Sequence, residues 1–300
     1  MTKQSIYKSS EGEAEVMSLY FRQLAGLPLK CDHRRIKTRF GLTHVTMAGP
    51  EGASPLLVLP GVHAPAPFNL AFWQPLASEY RLYSPDTIGQ PGRSVQTRIS
   101  PGDHHYGKWV VDLLDGLGLD RPAAAGISFG GAVLLDAAAD APERISSAVL
   151  VVPGGIAASR TLPLLFRLAL PALLYRSFPN RNRLLRVFRP FMTEVDEALL
   201  EFLGTYLRRS ERSAFGVPLP GPFTKEMLQN FHAPTLVLLA REDLFVPVDQ
   251  AAARAEEIIP NLFSIEILES RHIPTKKMTE EVNERVRTFL QKVSGRSEAA

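Results

Sequence analysis

The feature that most constrains the fold is the hexapeptide GISFGG at residues 126–131. An apolar run at 123–127 leads into it, and a small-residue stretch at 130–141 with helical character follows. A serine between two glycines at such a junction is typical of a sharp strand-to-helix turn that exposes the hydroxyl group. The N–H groups at the start of the helix then face developing negative charge. We predict that Ser128 is a nucleophile, and a glycine-rich turn without chemistry is the alternative.

The rest of the chain alternates between short apolar runs and helical patterns. Strands are predicted at 36–40, 44–47, 56–59, 81–85, 123–127, 148–152, 235–240 and 264–268. Helices are predicted at 13–24, after Asp103 as the N-cap residue, at 130–141 and at 280–293. This alternation predicts an α/β fold in which a mostly parallel central sheet is flanked by helices. Residues 154–222 interrupt it, so we expect a helical cap over the sheet edge where such folds bind ligands. The predicted domains are therefore a first core part at 1–153, the cap at 154–222 and a second core part at 223–300.

Charge is concentrated in the predicted cap. The whole chain has a net charge of +3, which is too small to imply a nucleic-acid partner. Residues 154–222, however, hold ten arginines, no lysine and five acids, and the segment 162–175 is apolar apart from Arg167. This segment is too short and interrupted to span a bilayer. An apolar, arginine-rich block suits an acidic substrate or weak contact with a membrane surface, and an amphipathic lid with a solvated arginine face is the alternative.

Composition excludes several other kinds of site. The single cysteine, Cys31, excludes an internal disulfide framework and a cysteine-based zinc cluster. His104 and His105 are adjacent, cannot easily share one metal ion and lack a supporting carboxylate cluster, so we expect no metal and no cofactor. The N-terminal stretch has no apolar run of the secretory type, and no run of 18 uncharged apolar residues occurs. We therefore expect a cytoplasmic protein.

A serine nucleophile needs a base and an acid that orients the base. His272 lies near the C-terminus, in the predicted turn between the last strand and the last helix. Asp243 lies three residues past the strand at 235–240, within the run LVLLAREDLFVP. The chain order serine, aspartate, histidine is the one expected when the serine occupies such a turn. We predict that Asp243 is the acid, and the neighbouring Glu242 is the alternative.

Together these segments resemble the α/β-hydrolase superfamily over residues 36–290. The resemblance rests on six landmarks in the correct order: LLVLPG, SPDTIGQPGRS, GISFGG, APERISSAVLV, PTLVLLAREDLFVP and the histidine near the C-terminus. Residues 38–61 are similar, more narrowly, to bacterial carboxylesterases of the naproxen-esterase type. The resemblance implies a Ser128–His272–Asp243 triad that cleaves carboxylic esters through an acyl-enzyme.

The resemblance also implies an oxyanion hole made of the backbone N–H groups of Phe129 and Val62. The chain departs from the family at two positions. Pro60 replaces the histidine that usually helps to shape the oxyanion loop, which leaves the loop geometry in question. Arg271 replaces the glycine that usually precedes the catalytic histidine, and its side chain either recognises a substrate carboxylate or points to solvent.

Several residues beside the predicted oxyanion loop are candidates for the substrate pocket. They are His63, Phe68 and Trp73, although Trp73 equally suits a packed position in a helix. Asp86 is a second candidate acid, but in this family the position is usually a structural carboxylate. We expect a small ester with an apolar acyl part as the substrate, with an anionic end to it as an open alternative. No oligomeric state follows from the sequence.

Other functions share parts of this pattern. The same triad serves hydrolysis of lactones, amides or C–C bonds and perhydrolysis, and the same fold can serve as a binding module without catalysis. Haloalkane or epoxide hydrolysis is disfavoured because residue 128 is serine and not aspartate.

Overall fold

An eight-stranded sheet forms the centre of the molecule. The computed structural model describes residues 5–157, 165–211 and 217–297. The sheet order is β1-β2-β4-β3-β5-β6-β7-β8. The strands are β1 Cys31–Thr38, β2 Gly41–Ala48, β3 Ser54–Leu59, β4 Tyr80–Pro85, β5 Ala123–Ile127, β6 Ala148–Val151, β7 Thr235–Ala240 and β8 Leu262–Leu268. The β1–β2 and β2–β4 pairs are antiparallel and the other neighbours are parallel, so the predicted mostly parallel sheet is confirmed.

Helices cover both faces of the sheet, and further helices form the predicted cap. They are α1 Ser10–Ala25, α2 Ala66–Trp73, α3 His105–Leu117, α4 Phe129–Asp140, α5 Leu170–Ser177, α6 Arg181–Phe188, α7 Glu197–Arg209, α8 Lys225–Leu228, α9 Val248–Ile258 and α10 Lys276–Ser297. One π-helical turn, Leu165–Ala169, leads into α5. Among the described residues, no helix combines the length and the apolar composition needed to cross a bilayer.

The expected capping role of Asp103 is wrong. Asp103 and His104 both have left-handed backbone angles, with φ of 55° and 51°, and α3 begins only at His105. An N-cap residue normally has extended backbone angles that direct its side chain to the first free N–H groups. Asp103 does not have that conformation, and neither it nor His104 caps α3 with its side chain. The carboxylate of Asp136 on α4 accepts the hydrogen bond of Gly107 N–H in the first turn instead.

The central strands are buried on both faces, which explains their continuous apolar runs. Alternate side chains of β3 enter different clusters: Leu57 and Leu59 pack with α3 and α4, whereas Leu56 and Val58 pack with α2 and α10. Two layers of helices therefore hold the sheet, and the carboxyl ends of its parallel strands meet at one edge.

The N-terminal helix shares a hydrophobic cluster with the cap. Val16 and Tyr20 of α1 pack with Phe202 and Tyr206 of α7. Glu15 also accepts hydrogen bonds from two arginines of α7, Arg208 and Arg209. The structure thus joins α1, which the sequence suggested belonged with the core, to the insert. The domain boundaries stay a prediction, and residues 158–164 and 212–216 of the cap lie outside the described residues.

Candidate active site

Ser128 lies on a strained turn between β5 and α4. Its backbone has φ 51° and ψ −110°, a conformation that non-glycine residues rarely adopt. A Cβ atom at Gly126 would overlap the carbonyl group of Gly130, and one at Gly130 would overlap the carbonyl group of Leu59. The two glycines are therefore required by close backbone packing. The turn presents Ser128 at the carboxyl edge of the sheet and at the N-terminus of α4, as the sequence predicted.

A line of hydrogen bonds joins three side chains that are distant in the sequence. His272 Nε2 lies 2.9 Å from Ser128 Oγ, and His272 Nδ1 lies 2.8 Å from Asp243 Oδ2. In the tautomer that suits this arrangement, Nδ1–H donates to the carboxylate and Nε2 accepts from the serine hydroxyl. This is the geometry required for a base that removes a proton from a nucleophile while a carboxylate orients its ring.

Neighbouring groups hold Asp243 and His272 in place. The backbone N–H of Phe245 donates to Asp243 Oδ1 at 2.7 Å, and the Phe245 ring packs edge-on against His272 with ring centroids 4.6 Å apart. The loop of His272 is also tied to the cap, because Ile273 N–H donates to Phe191 O and Thr193 N–H donates to Ile273 O. Sequence reasoning missed this clamp, since no local motif marks it.

Val62 and Phe129 line the same cavity as Ser128. The backbone N–H group of each is the predicted oxyanion donor. Within the described residues, neither group donates a hydrogen bond to the protein. Free donors beside a nucleophile are what an oxyanion hole requires.

The loop that carries Val62 is fixed without the usual histidine. Ala64 N–H donates to Gly61 O at 3.2 Å, which closes a tight turn. The buried side chain of Gln90 accepts a hydrogen bond from His63 N–H at 2.6 Å. Gln90 therefore restrains a loop in which Pro60 takes the place of the family's histidine. Sequence reasoning missed Gln90 because it lies in the loop after β4.

The cavity beside Ser128 has a volume of about 710 Å³ and a mostly apolar lining. His63 and Phe68, two of the predicted pocket residues, are part of this lining. The sequence missed the other apolar side chains that complete it, which include Phe72 and Phe245 of the core and Leu168, Phe188, Phe191, Leu199 and Leu203 of the cap. In the sequence these residues appear only as the apolar stripe of each helix. Such a stripe looks the same whether it packs into a hydrophobic core or lines a cavity.

His63 is the unusual polar group in this lining. It is 3% exposed, and neither ring nitrogen has a hydrogen-bond partner among the described residues. Burial, reinforced by the charge of Arg98, lowers the pKa of His63 to about 3. The imidazole is therefore neutral near pH 7 and offers one donor and one acceptor.

Two other predicted pocket residues lie elsewhere. Trp73 is fully buried in the cluster between the sheet and α2, so the packed alternative is right and the pocket assignment is wrong. Arg271 lines an outer groove and not the cavity. Its guanidinium group donates to the carbonyl of Arg189 and lies 3.5 Å from the carboxylate of Glu242. Arg271 thus connects the histidine loop to the cap, and Glu242 lies with it in the outer groove.

The remaining candidates are structural. Asp86 is fully buried and accepts hydrogen bonds from the Tyr20 hydroxyl and from the backbone N–H groups of Ala66 and Arg93. His104 pairs with Asp136, with 2.8 Å between Nδ1 and Oδ1. Across the described ranges, no group of three or more His, Cys, Asp or Glu side chains is placed to hold a metal ion.

Known proteins share this architecture. The chain is 29% identical to the uncharacterized carboxylesterase nap of Bacillus subtilis, over 97% of each chain. It superimposes on the crystal structure of naproxen esterase from Bacillus subtilis with a TM-score of 0.79 and 26% identity, covering 94% of this chain and 99% of that one. A 2-hydroxy-6-oxo-6-phenylhexa-2,4-dienoate hydrolase of Comamonas testosteroni is 32% identical over 47% of this chain and 52% of its own length. The model of the alpha/beta hydrolase family matches residues 56–285. The chain therefore belongs to the alpha/beta hydrolase family, and it is a hydrolase enzyme.

Proposed function

We propose that the protein is a carboxylesterase that cleaves esters with an apolar acyl group through an acyl-enzyme on Ser128. The observation that carries the proposal is the hydrogen-bonded line from Ser128 through His272 to Asp243, which opens onto an apolar cavity. Similarity to carboxylesterases over nearly the whole chain supports the same activity.

The geometry supports a two-stage mechanism. The Ser128 hydroxyl oxygen attacks the ester carbonyl while His272 Nε2 removes its proton, and the carboxylate of Asp243 stabilises the imidazolium ion. The tetrahedral oxyanion accepts hydrogen bonds from the N–H groups of Val62 and Phe129, an effect of roughly 2.7–4 kcal/mol for one donor. His272 then protonates the departing alcohol. A water molecule, deprotonated by the same imidazole, releases the acid and restores the serine.

The lining of the cavity indicates the substrate class. Apolar side chains from the core and the cap supply most of the surface, with His63 and Phe68 on the side of the oxyanion loop. The cap arginines that suggested an anionic end to the substrate are absent from the described lining, which favours a neutral acyl group.

Hydrolysis of a C–C bond is the second candidate, because one relative is named a 2-hydroxy-6-oxo-6-phenylhexa-2,4-dienoate hydrolase. The name of its substrate specifies a dienoate, which carries a carboxylate. The described lining of the cavity contains no Arg or Lys to bind such a group, and its remaining polar groups are few. An ester without a carboxylate therefore fits the cavity better.

An ester panel tests the proposal. Wild type, Ser128→Ala and the exposed control Ser18→Ala are assayed on p-nitrophenyl esters from acetate to decanoate, with lactone, amide and dienoate substrates beside them. We expect turnover of esters by wild type and Ser18→Ala, and none by Ser128→Ala. Unchanged turnover by Ser128→Ala would refute the nucleophile. Turnover restricted to another substrate class would refute the esterase assignment, and ligand binding without turnover would indicate a binding module.

A further inference from the structure

One face of the segment that precedes and forms α5 is apolar and open to solvent. The helix uses its opposite face for packing, since Leu168, Ala172 and Tyr175 are buried in the cap cluster. Five large side chains remain outside: Phe166 is 64% exposed, Leu170 49%, Leu173 61%, Leu174 47% and Phe178 63%. They recur at the three- and four-residue spacing of a single helix face. We call these five residues the α5 patch. Apolar patches of this kind on soluble domains mark interaction surfaces.

An arginine-rich groove borders the α5 patch. Its volume is about 1420 Å³, and its lining includes Phe166 together with Arg167, Arg186 and Arg189. None of these three arginines has an ion-pair partner among the described residues. The described lining of the groove also contains Arg271 and two acids, Glu242 and Asp243, so four arginines stand against two carboxylates. The groove therefore presents uncompensated positive charge beside an exposed apolar face.

The segment Leu165–Ala169 separates this outer surface from the catalytic cavity. Phe166 and Arg167 line the groove on one side, whereas Leu168 and Ala169 line the cavity on the other. A surface bound by the α5 patch would therefore lie next to the wall of the cavity.

We propose that the α5 patch and the arginine groove dock the protein on an anionic lipid bilayer. The boundary between head groups and acyl chains offers apolar contact for the patch and negative charge for Arg167, Arg186 and Arg189. Stable peripheral binding usually requires both contributions. A second copy of the chain fits less well, because a two-fold contact brings the same surface of each copy together and would oppose the same arginines. Binding to a bilayer does not depend on the proposed esterase activity.

Vesicle co-sedimentation tests the proposal. All proteins carry Ser128→Ala, so that vesicle lipid is not consumed and the result is independent of turnover. Vesicles of phosphatidylcholine alone are compared with vesicles that also contain phosphatidylglycerol. We expect binding to the anionic vesicles that weakens with salt, and little binding to phosphatidylcholine alone.

Matched variants locate the surface. Leu174→Glu should reduce affinity for anionic vesicles by roughly tenfold, because it replaces an apolar contact with a charge of the same sign as the lipid. Leu42→Glu is its control, since Leu42 on β2 has the same 47% exposure. Arg186→Gln should reduce affinity about fivefold. Arg181→Gln is its control on the same helix, because Arg181 is already paired with Glu197.

Three results would overturn the proposal. The first is negligible binding to both kinds of vesicle. The second is equal binding to both kinds that none of the variants changes. The third is concentration-dependent self-association, seen by sedimentation velocity, that Leu174→Glu abolishes while vesicle binding is absent. That third result would assign the α5 patch to a second copy of the chain.

Discussion

Two histidine–aspartate pairs among the described residues have both side chains at most 12% exposed, and the two pairs have different surroundings. His272 and Asp243 are joined by a contact of 2.8 Å, and His44 and Asp86 by one of 3.0 Å. The two contacts are nearly alike. The second ring nitrogen differs, since His272 Nε2 meets the Ser128 hydroxyl at the cavity, whereas His44 Nε2 lies 2.9 Å from the guanidinium group of Arg93.

The carboxylates differ in the same way. Asp86 accepts hydrogen bonds from Tyr20 and from two backbone N–H groups in addition to His44, so its oxygens are fully used. It joins β2, α1, α2 and the loop after β4 in a buried polar network. Asp243 contacts only His272 and the N–H of Phe245 among the described residues. The two pairs thus differ in what the second ring nitrogen faces, which is a hydroxyl group at a cavity in one pair and a guanidinium group in the other.

The largest expected effect is a loss of activity when Asp243 is replaced, which would distinguish Asp243 from Asp86. Asp243→Asn should lower kcat by roughly 10⁴-fold, because the amide favours the wrong tautomer of His272. The overall fold should survive, since the exchange is nearly isosteric. Steady-state kinetics on the best p-nitrophenyl ester and circular dichroism provide the measurement. A loss of less than tenfold would mean that Asp243 does not orient the base.

The matching substitution of Asp86 should lower the stability of the fold and leave activity largely unchanged. Asp86→Asn leaves an amide N–H₂ among groups that donate hydrogen bonds, so the free energy of unfolding should fall by about 3 kcal/mol. Urea unfolding measures the loss, and kcat of the folded variant should stay within about tenfold of wild type. A collapse of kcat with unchanged stability would instead place Asp86 in the chemistry.

A change that disturbs the predicted oxyanion loop should have a smaller effect on kcat. Gln90→Leu removes the acceptor that holds His63 N–H, so the Val62 donor should lose its alignment. We expect kcat to fall roughly tenfold with little change in KM, because the lost interaction acts on the transition state. The exposed Gln229→Leu is the control. A variant with normal kcat would show that the turn from Gly61 to Ala64 fixes the loop without Gln90.

A third histidine, His63, should make the stability of the protein depend on pH. The pKa of His63 is about 3 in the folded protein against an ordinary value of 6.5. The unfolded chain therefore binds more protons between these values, and stability should fall as pH decreases through this window. The slope contributed by His63 is about 1.4 kcal/mol per pH unit.

His63→Asn tests this contribution. Asparagine does not titrate and tolerates the left-handed backbone angle of this position. Urea unfolding at several pH values should give a shallower dependence for His63→Asn than for wild type. The same exchange at the exposed His232 is the control. Identical slopes for wild type and His63→Asn would show that His63 titrates normally.

The core strands and the turn at Ser128 are the parts that the sequence predicts best. Buried strands are continuous apolar runs ended by Pro and Gly, and the predicted strand at 123–127 matches β5. Asp243 and His272 follow from their positions after strands, because parallel strands bring their carboxyl ends to one edge. The left-handed backbone at Ser128 also follows from the local motif.

The cap is predicted poorly because tertiary contacts decide its arrangement. The arginine pattern suggested contact with substrate, yet Arg167, Arg186 and Arg189 line the outer groove. The clamp between Thr193 and Ile273 joins segments that are 80 residues apart and leaves no pattern in either one. α1 joins the cap through an apolar stripe that would equally suit the core.

Mapping of a covalent adduct tests whether Ser128 is the nucleophile. The native protein is treated with a fluorophosphonate, digested and analysed by mass spectrometry. The proposed mechanism predicts one adduct, on the peptide that contains Ser128, with its rate of formation strongly reduced in Asp243→Asn and unchanged in Glu242→Gln. An adduct on another residue, or ester turnover that persists after Ser128 is fully modified, would contradict the claim.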